Sequence, residues 1–163
     1  MDNKKIIDII SQDSRLAPQK IAVILGECEE KVKNAIEELE NSGVIVKYGA
    51  IINKEKIDAN IVEALIEVRV TPQKGRGFDS IAEELMLFKE VKSLYLMSGG
   101  FDLAVFVEGS SLKEVALFVS QKLAMVDNVV SCATHFILKK YKIEGVPTQE
   151  KDNSGSKRMP FQP

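Results

Sequence analysis

Apolar residues recur along this chain with two different periods, and the change from one to the other divides it. Over residues 4–12, Ile6, Ile7, Ile9 and Ile10 fit one buried face of a helix. Pro18 is placed to open a second, short helix in which Ile21, Ala22 and Leu25 turn inward, and Gly26 ends it. From Glu29 to Asn41, Val32, Ala35, Ile36 and Leu39 return at spacings of three and four, one apolar stripe on a third helix, stopped by Ser42-Gly43. Beyond residue 60 the period falls to two. Ile61 to Val70 predicts a β-branched strand, and Phe78, Ile81, Ala82 and Leu85 a helix. Val91–Met97 and Phe101–Val107 predict a hairpin. Ser110 is placed to cap a further helix with Leu112, Val115, Ala116, Val119 and Leu123 inward, and Val129 to Tyr141 reads as the last strand.

The predicted fold class is α+β, in four stretches. Residues 1–52 form a winged helix-turn-helix, with a Gly-containing turn between the second and third helices. The run Val44-Ile-Val-Lys-Tyr-Gly-Ala-Ile-Ile52 supplies two short strands about Gly49 as the wing, or a strand leading onward. Residues 53–60 are a polar linker. Residues 61–145, in the order β-α-β-β-α-β, form a ferredoxin-like antiparallel sheet with two helices on one face. An open face on so small a domain usually finds another subunit. Residues 146–163 are polar, with Pro, Gly and Ser, and are expected to be a disordered tail.

The middle hairpin holds the one position that breaks the pattern. Leu103, Val105 and Val107 share one face, and Ala104, Phe106 and Glu108 the other. Ser98-Gly99-Gly100 supplies turn chemistry, since adjacent glycines can take the positive φ of a tight hairpin. Asp102 follows at once, on a strand that otherwise wants no charge. It is either an Asx-type cap on its own turn, or part of a polar cup in which glycine amides and a carboxylate hold the ends of a small ligand.

Composition narrows the classes. Of 163 residues, 45% are hydrophobic and 28% charged, the balance of a globular protein. No apolar run approaches the roughly 18 residues of a membrane span, and Met-Asp-Asn-Lys-Lys lacks the apolar core of a secretory signal, so a cytoplasmic location is expected. Cys28 and Cys132 are far apart with no clustered histidine, which offers no metal set. No nucleophile–base pair or phosphate-binding glycine loop is present, so no cofactor and no enzymatic activity is expected. The formal net charge of −2 does not single out a strongly electrostatic partner.

Three segments together resemble the leucine-responsive/asparagine-responsive (Lrp/AsnC) regulators. They are Leu39-Glu-Asn-Ser-Gly-Val-Ile45 after the third helix, Leu96-Met-Ser-Gly-Gly-Phe-Asp102 at the turn, and Thr134-His-Phe-Ile-Leu-Lys-Lys-Tyr-Lys142 in the last strand. The likeness spans about residues 4–145, and its specificity comes from two modules in the right order. It implies an amino-acid-responsive transcription regulator that binds double-stranded DNA, and a sheet domain that dimerises and assembles into an octamer or other ring of dimers. It also implies a small amino acid bound between dimers near the turn. The turn positions it carries over are Ser98, Gly99, Gly100 and Asp102, with Met97 and Phe101 as apolar neighbours; Thr134, His135 and Ile137 follow from the last strand.

The reader module departs from the family pattern. Relatives often carry arginines on the third helix, whereas Ala35, Glu37 and Glu38 stand at the matching positions here, and Glu29–Glu40 contains five glutamates against Lys31 and Lys33. Residues 1–52 hold seven Lys/Arg and nine Asp/Glu. Phosphate contacts rely on cations that displace condensed counterions, so the layout supports DNA binding and the charge weakens it. The candidate DNA contacts are Gln19 and Lys20 at the start of the second helix, Lys31, Lys33 and Asn34 on the third, and Lys47 in the wing. Glu29 and Glu30 can accept from cytosine amino groups or simply suit the helix dipole. Two rival classes remain: a small-molecule sensor whose helix-turn-helix makes protein contacts only, and a tetrapyrrole (sirohaem) decarboxylase-like enzyme. The enzyme would need cations and general acids that His135 and few arginines do not supply.

Overall fold

The computed structural model describes residues 2–57, 60–72 and 74–148. The chain divides into two compact units, residues 1–51 and 52–163.

The first unit is three helices, α1 (Asn3–Gln12), α2 (Pro18–Leu25) and α3 (Glu29–Asn41). Asp2 caps α1, its carboxylate accepting from the Lys4 N–H at 3.1 Å. Gly26 ends α2 with φ +66°, a left-handed conformation that leaves a short turn before α3. Ile6, Ile21, Ala22, Val32, Ala35 and Leu39 form the buried core, one stripe from each helix, as the spacing required. The chain leaves α3 through Gly43 (φ +74°), and the Ile45 N–H returns to the Leu39 carbonyl at 3.0 Å.

The predicted wing is absent among the described residues: 44–52 form no strand. Ile45 packs on the core, but Val46 is 88% exposed and Val44, Ile51 and Ile52 are also exposed. A β-prone run needs a partner strand to satisfy its backbone, and none pairs with it among the described residues. The Tyr48 hydroxyl instead donates to Glu40 at 2.7 Å. Partial burial and the Glu40 carboxylate both hold its pKa above the usual value.

The second unit follows the predicted order. A single 3-10 turn, Lys54–Lys56, precedes β1 (Val62–Val70), α4 (Asp79–Met86), β2 (Val91–Leu96), β3 (Leu103–Gly109), α5 (Leu112–Gln121) and β4 (Val129–Phe136). The sheet order is β2-β3-β1-β4, and every neighbouring pair is antiparallel. Ala64, Ile66 and Val68 of β1 and Leu103, Val105 and Val107 of β3 meet Ile81 and Leu85 of α4 and Val115 and Phe118 of α5, so both helices cover one face. Phe88 and Phe118 meet edge to face at 5.5 Å within this core.

Three boundaries differ from expectation. Ser111, not Ser110, caps α5, and Ser110 instead bonds the Glu114 carboxylate through its N–H and hydroxyl, both at 2.6 Å. Leu112, at the first position of α5, and Ala116 are exposed although both were expected inward; Val115 and Phe118 are the buried side chains of this helix. The last strand stops at Phe136; beyond it β5 (Lys142–Ile143) and β6 (Val146–Pro147) make a small hairpin about Gly145, so 146–148 are not part of a tail. The remainder of the expected tail, 149–163, lies outside the described residues, as do Asp58 and Ala59 of the expected linker. Asn53 donates to the Thr148 carbonyl at 3.1 Å, and Lys54 reaches Glu63 and Glu108, so residues 53–56 are tied to the sheet unit.

Candidate functional site

β1 and β3 part company where the turn begins, and that divergence creates the candidate site. Pairing between them ends at Val68 and Leu103, with the Asp102 N–H donating to the Val68 carbonyl at 3.1 Å. The next N–H on that edge of β1 belongs to Val70 and has no strand left to meet. The Asp102 carboxylate accepts it at 2.9 Å through Oδ2. Asp102 is therefore a cap, but of the neighbouring strand rather than of its own turn: it supplies one more rung to the ladder. The charge that looked misplaced along β3 is explained by an orphan donor on β1. Its second oxygen, Oδ1, has no hydrogen bond to the described residues.

The turn is wider than a two-residue hairpin. Residues 97–102 span it, closed by the Met97 N–H on the Asp102 carbonyl at 2.8 Å. Neither Gly99 nor Gly100 has positive φ, so the conformational reason expected for them does not apply. Both stand in open space, where a Cβ would meet nothing within 4 Å, so among the described residues neither backbone nor packing demands glycine at either position. Ser98, Gly99 and Gly100 are exposed, Met97 is 43% exposed, and Phe101 and Asp102 are half-buried. Arg69, which the sequence reading passed over, anchors this loop; its Nε–H donates to the Gly100 carbonyl at 2.9 Å. Nothing in strand periodicity marks such a residue, because the contact spans 31 positions.

Thr134 and His135 are not brought to this loop within one chain. They pair with Ile66 and Leu65, three to five residues back along β1 from Arg69 and Val70, or about 10–17 Å at ordinary strand rise. They also face opposite ways. Thr134 shares the helix-covered face with Cys132 and Phe136, while His135 is exposed on the open face, its Nε2 3.3 Å from Glu67 Oε1. Ile137 lies past the end of β4 and lines a hollow of about 60 Å³ with Asn53, Lys54, Glu55, Ile61, Glu63, Lys140 and Ile143. Its lysines are already matched: Lys54 pairs with Glu63 and Glu108, and Lys140 with Glu63. The Glu108 carboxylate raises the Lys54 pKa despite partial burial.

In the helical unit every nominated side chain is exposed. The Gln19 amide donates to Glu29 at 2.5 Å, tying α2 to the start of α3. Lys31 lies 3.7 Å from Glu27. At about 100° per residue, Lys31 and Lys33 stand about 160° apart around α3, on opposite flanks of the outward face. Glu30, Asn34 and Glu37 occupy the centre of that face. Lys20 is exposed on α2, and Lys47 lies on the extended segment. Cys28 is exposed just before α3 and caps nothing with its side chain.

Among the described residues no helix is long and apolar enough to cross a membrane, and no group of side chains is placed to hold a metal ion. Residues 63–147 match the Lrp/AsnC ligand binding domain. The chain is 47% identical over 142 residues to the HTH-type transcriptional regulator YugG of Bacillus subtilis (strain 168), covering 86% of each. It is 31% identical over 140 residues to the HTH-type transcriptional regulator LrpA of Pyrococcus abyssi (strain GE5 / Orsay), covering 86% of this chain and 96% of the relative. Its fold is similar to that of the transcriptional regulator NMB0573 of Neisseria meningitidis, solved as an L-Met complex, with TM-score 0.71 at 20% identity over 89% of this chain and 94% of that one. The chain thus belongs to the Lrp/AsnC family of HTH-type transcriptional regulators, proteins that act on transcription and are not enzymes.

Proposed function

We propose that the chain acts in the cytoplasm as an amino-acid-responsive regulator, reading double-stranded DNA with α2 and α3 and sensing a small amino acid at the 97–102 loop. The observation that carries the sensing half is Asp102. One oxygen fixes it to β1, the other is left over, and the glycines beside it stand in open space. Met97 and Phe101 are the apolar neighbours for a side chain. Thr134 and His135, distant in one chain, join this pocket only if another copy supplies them, so the pocket lies between copies. The open sheet face, with Leu65, Tyr95, Phe106 and Ala133, is where the copies associate, as a dimer and then a ring of dimers.

The DNA half rests on layout. Residues 1–51 form a helix-turn-helix with Gln19 and Lys20 at the entry of α2, Asn34 central on α3, Lys31 and Lys33 flanking it, and Lys47 on the chain that follows. So few cations give each copy weak phosphate contacts, and a ring compensates by presenting many copies at once. The same acidic α3 favours a second reading, a sensor without DNA binding. A thermal-shift screen of the twenty amino acids, joined to DNA shift assays at low and moderate salt, separates them. The regulator reading requires at least one stabilising amino acid and a salt-sensitive DNA complex. An amino-acid response with no DNA complex at either salt transfers the protein to the second reading.

A further inference from the structure

Arg69 is a cation without an acid. Of the three arginines among the described residues, Arg15 lies 2.9 Å from Asp13 and Arg76 2.6 Å from Glu83. Arg69 has no ion pair among the described residues, and Glu67, two positions away on the same face of β1, is turned to His135 instead. Its one side-chain bond among the described residues is the Nε–H donation to Gly100, which occupies one of five guanidinium donors and leaves both terminal nitrogens without a partner there. That bond holds the planar head at the rim of the loop. Asp102, the loop's one carboxylate, is held by Val70 and makes no ion pair with Arg69 among the described residues. A cation tied to the loop at Gly100 and an anion tied to the adjoining strand at Val70, with no ion pair between them, complement a molecule that carries both charges on one carbon.

We propose that Arg69 reads the α-carboxylate of the effector while Asp102 takes its α-ammonium, so that the loop selects free α-amino acids over amides, peptides extended at the C-terminus and simple amines. The inference rests on the effector reading of residues 97–102. It replaces the glycine amides as the expected carboxylate donors with a side chain whose paired N–H groups match a carboxylate in two-pronged fashion.

The test is a calorimetric titration of the full chain, in wild type, Arg69→Gln and Arg69→Lys forms. The probes are the L-amino acid that most stabilises the protein in a screen of all twenty, and its α-carboxamide. In wild type the amide should bind about ten- to a hundred-fold more weakly than the acid. Arg69→Gln should shrink that discrimination to within about three-fold, and Arg69→Lys, which keeps the charge, should retain part of it. A residue that only braces Gly100 gives another pattern: Arg69→Gln weakens acid and amide by the same factor and the discrimination survives. That result overturns the assignment and leaves the effector site standing. If no amino acid binds the wild type, the effector reading fails and the Arg69 assignment falls with it.

Discussion

In the helical unit the charged side chains lie outside and meet one another across solvent. Lys31–Glu27, Arg15–Asp13 and Gln19–Glu29 are all exposed pairs. In the sheet unit exposed pairs such as Arg76–Glu83 also occur, but a second set of polar groups is half-buried and holds the backbone together. Asp102 completes the β1 ladder, Lys54 and Lys140 converge on Glu63 and Glu108, and Lys122 reaches the nearly buried Glu90 at 2.6 Å. Exposed pairs contribute about 0–1 kcal/mol and exchange readily with other partners. A half-buried acceptor cannot leave without stranding its donor. The helical surface is therefore free to be rewritten for a partner such as DNA, whereas the sheet can sense only with groups its own fold leaves over.

The contrast is absent in the cores, and that is where the largest effects are expected. Ile21→Ala in the helical unit and Ile66→Ala in the sheet, both fully buried, should each cost about 2–5 kcal/mol. Denaturant unfolding followed by circular dichroism checks this. A loss below about 1 kcal/mol at either position contradicts the assigned core.

Asp102 separates structure from sensing. Asp102→Ala strands the Val70 N–H and should cost about 1–3 kcal/mol. Asp102→Asn keeps an acceptor for Val70 and should cost less than about 1 kcal/mol, while lowering affinity for the stabilising amino acid about ten- to a hundred-fold. Thermal melts and calorimetric titrations of the two variants give both numbers. Equal amino-acid affinity in wild type and Asp102→Asn would make the residue a rung and nothing more.

This residue also shows where the sequence is legible. The period of apolar positions identified the three helices and the β-α-β-β-α-β order, because burial forces a period of 3.6 or 2 on whatever is buried. It located Asp102 as an anomaly but not its partner, since the Val70 N–H lies 32 positions away. Arg69 escaped for the same reason. The wing was expected from Val44–Ile52 because β-propensity describes a readiness to pair, not the presence of a partner. Gly99 and Gly100 were singled out for a positive φ that neither adopts.

A smaller effect reads the sheet's buried charge by pH. The Glu90 side chain is 11% exposed, and its Oε2 has no hydrogen-bond partner among the described residues. Burial pushes its carboxyl up, but the Lys122 ammonium and a backbone N–H outweigh burial, so the pKa lies below the ordinary value. A carboxyl lowered on folding stabilises the fold above its unfolded pKa, about 4.3. That stabilisation is lost as pH falls through the folded pKa. Lys122→Met removes the larger of the two effects that oppose burial, so the folded pKa should rise toward or past the unfolded value and the variant should lose less stability than wild type as pH falls. Denaturant midpoints between about pH 3 and pH 7 test it; parallel pH curves refute the pairing.

The smallest effect on stability belongs to the helical surface. Lys33→Glu should change stability by no more than about 0.5 kcal/mol. It should weaken binding to a selected duplex and make log affinity against log salt shallower by about one. Lys31→Ala and Lys33→Ala, on opposite flanks of α3, should differ in effect, because one helix face cannot present both equally to a groove. Unchanged DNA affinity in the Lys31→Ala, Lys33→Ala double variant would favour the sensor without DNA.

The claim joining the two units is that the leftover oxygen of Asp102 controls what the exposed face of α3 does. Fluorescence anisotropy of a labelled duplex, selected for binding to the full chain, measures it directly. The titration is run with and without a saturating amount of the stabilising amino acid. In wild type the amino acid should shift DNA affinity about 5- to 150-fold in one direction. At the same amino-acid concentration the shift should largely vanish in Asp102→Asn, whose DNA affinity without amino acid should match wild type. A shift of full wild-type size in Asp102→Asn, or none in wild type despite amino-acid binding, would contradict the account.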